Sequence, residues 1–298
     1  MKFNLDHLPE RKRRELAQIV EIIHEEFEDA LKEGTSDFKK KGRILKIILF
    51  GSYARGDWVD EDHTSKSYKS DYDLLVIVNN RKLTDFGLYW HKVADRFPRI
   101  VKPPVSLAVH SLREVNTALK LGNYFFCEIR RDGIVLYELD DDELAEPKPR
   151  TPAEAYRAAQ GHFDRFGRAT KFLKGARFYA SEGDTDEAAF LLHQAIEHSY
   201  STLLLTLTSY SPASHNLNHL RTLAEGRDKR LADIWPQDRQ RYTAWFNIIN
   251  QAYVKARYSE HFNITEEALA WLGERTDVLQ QLVKTICEEH LEKLRKKF

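Results

Sequence analysis

The segment Gly51-Ser52-Tyr53-Ala54-Arg55-Gly56-Asp57, followed downstream by Asp71-Tyr72-Asp73, constrains this chain more than any other part of it. Two apolar runs, residues 44–50 and 74–78, bracket the pair and read as neighbouring strands. A Gly-Ser turn that leaves a strand and opens a helix turns backbone N–H groups and a positive helix end toward an anion. Asp71 and Asp73 stand two residues apart, so on a strand both carboxylates face the same side of the sheet. Two carboxylates on one face beside a phosphate cradle suit Mg2+ held against a nucleoside triphosphate.

That combination resembles the DNA polymerase β-like nucleotidyltransferase superfamily, whose pattern is a Gly-Ser turn, a variable spacer and Asp-x-Asp. The match runs over residues 44–78, and Ala54-Arg55-Gly56 fits the common form of the turn. The resemblance implies transfer of a nucleoside monophosphate, AMP being the expected one, from an NTP such as ATP onto a hydroxyl. In that reading Gly51 allows close approach, Ser52 donates to terminal phosphates, and Arg55 either neutralises phosphate or pairs with Asp57. Asp71 and Asp73 hold the metal. Eighteen residues separate Ser52 from Asp71, more than in compact members, and the polar run 58–69 is expected to form an elaborated loop.

The superfamily adds a third carboxylate on the next strand, and here that strand supplies none. Residues 105–110 place Ser106, Ala108 and His110 on one face and Val105, Leu107 and Val109 on the other. Serine and histidine are poor ligands for hard Mg2+. Two groups are therefore candidates for acceptor deprotonation: His110, whose imidazole titrates in the useful range, and Glu128, set among apolar neighbours. A structural hydrogen bond for His110 and a salt bridge from Glu128 to Arg130 or Arg131 are the competing readings.

At 298 residues the chain has room for two domains. Its 46 basic residues balance 46 acidic ones, so no global field draws it to nucleic acid or an acidic membrane. The basic runs 11–14 and 39–41 read as solvated surface. Cys127 and Cys287 show neither a disulfide pattern nor zinc spacing, and no run has signal-peptide or membrane-span character. A cytoplasmic location away from membranes is the expectation.

Periodicity predicts an α+β architecture. Residues 8–32 and 85–97 should form helices, 114–121 a shorter one, and 133–137 a last or edge strand, giving an N-terminal mixed β-sheet with flanking helices. Composition then shifts at 140–152, acidic residues followed by Pro147, Pro149 and Pro152. The expected domains are 1–142 and 153–298, with 143–152 as linker. Beyond it the chain lacks strand alternation, and the helical stretches 153–181, 186–208, 217–224, 240–258 and 265–297 predict a bundle.

The run Ala188-Ala189-Phe190-Leu191-Leu192-His193-Gln194-Ala195-Ile196-Glu197, then Ser214-His215-Asn216-Leu217 and Ala256-Arg257-Tyr258, resembles the HEPN superfamily. That resemblance implies an all-α bundle, commonly dimeric and often paired with a minimal nucleotidyltransferase. The second domain would then complete the acceptor or nucleotide site, and a homodimer is the expected assembly. HEPN members that cleave RNA use an Arg and a His near a dimer interface, and Arg257 with His261 comes within one residue of that spacing. On a continuous helix the two would share a face. Hence the alternative: a toxin-like ribonuclease regulated by a nucleotide-sensing, catalytically impaired first domain. In related two-gene toxin–antitoxin pairs the nucleotidyltransferase instead adenylylates the helical toxin on a tyrosine. His215 and His219, four apart, could sit on a zinc-binding helix, but no third ligand accompanies them.

Overall fold

The computed structural model describes residues 1–32, 36–58, 70–139, 143–212, 214–259 and 261–298. The expected loop therefore falls outside the described residues over 59–69, as does the acidic run 140–142. Two compact units divide the chain, Met1–Pro149 and Arg150–Phe298. The first is α+β and the second all-α.

The first unit opens with α1 (Glu10–Lys32), whose residues Leu16, Ile19, Ile23 and Phe27 recur at helical spacing and are buried. After the short α2 (Asp37–Lys40) come β1 (Ile44–Phe50), α3 (Gly51–Arg55) and β2 (Tyr72–Val78). Next are α4 (Phe86–Tyr89), α5 (His91–Arg96), β3 (Val105–Ser111), α6 (Leu112–Lys120), α7 (Tyr124–Asp132) and β4 (Ile134–Glu138). The sheet order is β3-β2-β1-β4, with β1 antiparallel to both neighbours and β2 parallel to β3. The parallel pair needs a crossover, and α4 with α5 supplies it. One core joins the α1 stripe to Ile47, Leu49, Leu74 and Val76 of the central strands.

Three details depart from the periodicity reading. The helix expected over 85–97 is broken at Trp90, whose indole is fully buried, stacks on Phe27 at 5.1 Å and donates to the Leu83 carbonyl at 2.8 Å. Swinging that ring inward ends α4. Helix α7 has no counterpart in the apolar periodicity. It is capped by the Asn123 side chain, which accepts from the Phe125 amide. The run expected as a linker is held to the first unit, the Ala145 amide donating to Asn116 Oδ1 at 2.8 Å and the Lys148 amide to the Leu119 carbonyl at 3.2 Å.

The second unit comprises α8 (Pro152–Phe163), α9 (Gly167–Glu182), α10 (Thr185–Thr208), α11 (Leu217–Glu225), α12 (Gln240–Tyr258) and α13 (Glu266–Arg295). Thr151 and Glu154 form a reciprocal capping box that starts α8 sharply after the prolines. The stretch 153–181 is two helices, because the chain turns at Asp164 and Phe166 packs back beside Phe163 at 5.8 Å. Helix α10 is the central rod, with buried Ala188, Leu192, Ile196, Tyr200, Leu203 and Leu204. Apolar residues on several sides are what a helix surrounded by others requires. Buried Tyr200 accepts from the Trp235 indole at 2.7 Å. Among the described residues no helix is long and apolar enough to cross a membrane.

Candidate active site

Strand β1 delivers the chain to Gly51, whose φ of +73° lies in the left-handed region. A Cβ there would stand 3.2 Å from Asp73 Cγ and closer still to Oδ2. The turn and the second acid of Asp-x-Asp are thus in direct apposition, and only a residue without a side chain fits between them. The pairing of Phe50 with Asp73 across the antiparallel ladder sets this register.

Strand β2 begins at Tyr72, so Asp71 precedes the strand instead of lying within it. Its carboxylate still reaches the same face, since Oδ2 accepts from Ser106 Oγ at 3.2 Å and Ser106 lies opposite Asp73 in the parallel ladder. Asp71 is buried and Asp73 partly exposed. Ser106 is therefore the β3 residue that faces the two acids, in the place where a third carboxylate would have to stand.

A shell of aromatic rings supports the turn from beneath. Tyr53, fully buried, lies 4.3 Å from the Tyr72 ring and stacks on Trp58 at 5.6 Å. Lys12 of α1 sits 5.5 Å and 5.7 Å from those two tyrosine rings, and the Tyr72 hydroxyl donates to Glu15 at 2.7 Å. His7 Nε2 meets the Tyr53 carbonyl at 2.8 Å. Tyr53 and Tyr72, one from each half of the motif, are thereby tied to α1. Motif spacing gave no hint of this support.

The nucleotidyltransferase domain family model matches residues 31–108, and the HEPN domain family model matches residues 164–286. The chain joins a nucleotidyltransferase domain to a HEPN domain. A Methanocaldococcus jannaschii protein provisionally named a protein adenylyltransferase is 50% identical over 52 residues, 17% of this chain and 44% of its own length. This chain thus spans less than half the length of that curated relative. The crystal structure of a nucleotidyltransferase-like protein from Exiguobacterium sibiricum is 16% identical, covering 91% of this chain and 80% of that one at a TM-score of 0.29.

Within the nucleotidyltransferase domain the remaining candidates separate. The Nε of Arg55 stands 3.4 Å from Asp57 Oδ2. His110 shares the face of Asp73 but pairs with Ile77, four residues along the ladder from the Ser106–Asp73 step. At ~3.3 Å per residue that is about 13 Å, beyond the reach of a proton transfer at the acids. His110 instead packs edge-on against Phe126 at 5.2 Å, and burial holds its pKa below the usual imidazole range. Its expected role as base fails on that distance. Glu128 is half-buried on α7, which is held against the end of β1 by the edge-on pair Phe50–Phe125 at 5.3 Å. Arg130 pairs with Glu146, and Arg131 with Asp132.

Asp71 and Asp73 are a donor set of hard oxygens that fits Mg2+ as two ligands, the rest coming from phosphate and water. Among the described residues no group of three or more His, Cys, Asp or Glu side chains could hold a metal alone. In the HEPN domain the helix expected over 240–258 carries Arg257 but not His261, so the two do not share a helical face. Helix α12 ends at Tyr258, Ser259 turns extended at ψ 117°, and His261 lies beyond that turn. His215 likewise precedes α11, so it and His219 do not share a helix.

Proposed function

We propose that the chain transfers a nucleoside monophosphate, AMP from ATP, onto a hydroxyl acceptor, with Asp71 and Asp73 holding Mg2+. The apposition of Gly51 and the Asp73 carboxylate carries this reading. It gives triphosphate a backbone surface to lie on within reach of the acids. Bound Mg2+ would supply charge neutralisation across the phosphates. Ser52 would donate to the phosphate tail, and the aromatic shell would keep turn and acids in fixed register. Arg55 would exchange Asp57 for phosphate, a better partner for its planar fork.

Glu128 is the proposed proton acceptor for the attacking hydroxyl, since α7 is packed against the end of β1 from which Gly51 departs. The name of the Methanocaldococcus relative supports a protein hydroxyl as acceptor. The test uses ATP labelled at either the α- or the γ-phosphate, incubated with the full chain, Mg2+ and protein extract. Monophosphate transfer leaves α-label on protein and releases pyrophosphate, and Asp73→Asn lowers both by about 10³-fold. Retained γ-label, or pyrophosphate release indifferent to Asp73→Asn, would reject the assignment.

A further inference from the structure

Lys39 and Lys40, from the basic run that the sequence assigns to solvated surface, form one wall of a cleft of about 420 Å³ in the nucleotidyltransferase domain. The C-terminal half of α1, helix α2, the start of β1 and Tyr137 of β4 enclose it. Strand β1 leaves this cleft at Ile44 and reaches Gly51 seven residues later. At ~3.3 Å per residue the two ends stand about 23 Å apart.

The cleft has two chemical halves. Phe27, Leu31, Ile44 and the Tyr137 ring give it an apolar wall. Lys32, Lys39, Lys40 and Arg43 line the remainder, against a single carboxylate, Glu28. Lys32 is already held by Asp29 at 2.6 Å. The other three cations have no carboxylate partner among the described residues. Lys39 lies 5.6 Å from the Tyr89 ring centroid, a contact that leaves its N–H donors unused. Arg43 donates from Nη1 to the Gly42 carbonyl at 2.8 Å and keeps the rest of its fork.

The backbone that carries these cations is pinned. Asn79 donates from Nδ2 to the Lys41 carbonyl at 2.7 Å, and its Oδ1 accepts from the Arg43 amide at 3.0 Å. Like charges held together on a fixed segment repel, and an anion between them relieves that repulsion. His24 also lines the cleft, edge-on to Tyr137 at 4.3 Å. Burial lowers its pKa against the opposing pull of Glu28, so at neutral pH the ring is uncharged. Its Nε2 is enclosed and has no hydrogen-bond partner among the described residues. Such a nitrogen weakens the fold unless a ligand answers it.

We propose that this cleft binds a nucleoside polyphosphate without a metal, its phosphates on Lys39, Lys40 and Arg43 and its base against the apolar wall beside His24. A bare phosphate chain would answer the cations alone, and an apolar molecule the wall alone. A ligand with both parts uses the whole cleft. Its distance from Gly51 makes this a second site, separate from the transfer centre. It stands independently of the transferase reading.

The experiment keeps that centre silent. The full chain carrying Asp71→Asn and Asp73→Asn, in EDTA, is titrated with ATP, with inorganic tripolyphosphate and with adenosine. The ring protons of His24, assigned by their loss in His24→Asn, report the cleft by NMR. ATP should shift them, and Lys40→Gln combined with Arg43→Gln should weaken that binding by about tenfold or more. Tripolyphosphate and adenosine should each bind more weakly than ATP. Both substituted residues are exposed, so the double variant should melt as the parent does. No shift with ATP, or an affinity that the double variant leaves within about twofold, would overturn the inference. Tripolyphosphate binding as tightly as ATP would overturn its nucleoside half, and adenosine binding as tightly would overturn its phosphate half.

Discussion

Around Gly51 the nucleotidyltransferase domain gathers two carboxylates, whereas a cluster in the HEPN domain gathers the His215 imidazole and the Arg257 guanidinium around Tyr253. The first arrangement repels phosphate until a cation intervenes. The second carries a fixed positive charge in Arg257. They are also built differently. The acids owe their placement to a sheet ladder, where Phe50 opposite Asp73 and Ser106 opposite Asp73 fix the register. The HEPN cluster owes its placement to side chains that meet across α10, α12 and the loop before α11. A ladder fixes backbone positions for every residue in it, so a single substitution in the turn is felt at the acids. A side-chain cluster can lose one member while the helices beneath it stay put.

The sharpest way to break this contrast is Gly51→Ala. Its methyl group would need the space of the Asp73 carboxylate and a φ that alanine resists, costing about 1–3 kcal/mol from the backbone alone. Nucleotide transfer should fall by more than about 100-fold, with a lowered melting temperature. A Gly51→Ala protein with parental transfer activity would mean that the turn and Asp73 do not act together.

An effect of intermediate size separates the domains by pH. Burial lowers the folded pKa of His193 from the ordinary 6.5 to about 4. Between those values the unfolded chain binds a proton that the folded chain excludes. The HEPN domain should therefore lose stability as pH falls from about 6.5 to 4, by up to roughly 3 kcal/mol from this group. Hydrogen exchange of the α10 amides at pH 7 and pH 4.5 would measure it, and His193→Gln should flatten the dependence. A slope unchanged in His193→Gln would assign the effect to other histidines.

The smallest expected effect is at His110. Lying about 13 Å along the strand from the acids, it should tolerate Asn with transfer altered less than about twofold and an unshifted pH–rate profile. Loss of the alkaline or acidic limb of that profile in His110→Asn would restore it as a proton carrier.

These differences also explain what could be read from the chain directly. The turn, both central strands and Asp-x-Asp were legible because they are local: glycine and serine at a strand end, then acids two residues apart. Strand β3 was legible from alternation, and β4 as a last or edge strand. Helix α7 was not, since Phe125, Phe126 and Ile129 crowd one short segment and its start depends on Asn123 as a cap. The break at Trp90 was hidden for a related reason, as a buried indole obeys the core instead of helical period. The register that removes His110 from the acids and selects Ser106 exists only across strands. The HEPN cluster was least visible. Arg257 pairs with His261 in the sequence because they are near, while the histidine that shares the Tyr253 ring with it comes 42 residues earlier.

Two glycines that flank α3 share a left-handed backbone, at φ +73° and +89°, yet evolution or a library would treat them unequally. At Gly56 the nearest obstacle to a methyl is a His7 ring carbon at 3.6 Å, ordinary contact distance, so asparagine, which enters that torsion readily, has room. At Gly51 torsion and space both forbid replacement. Saturating the two codons and selecting for folded, active chains should return a small set of residues at one and a single residue at the other.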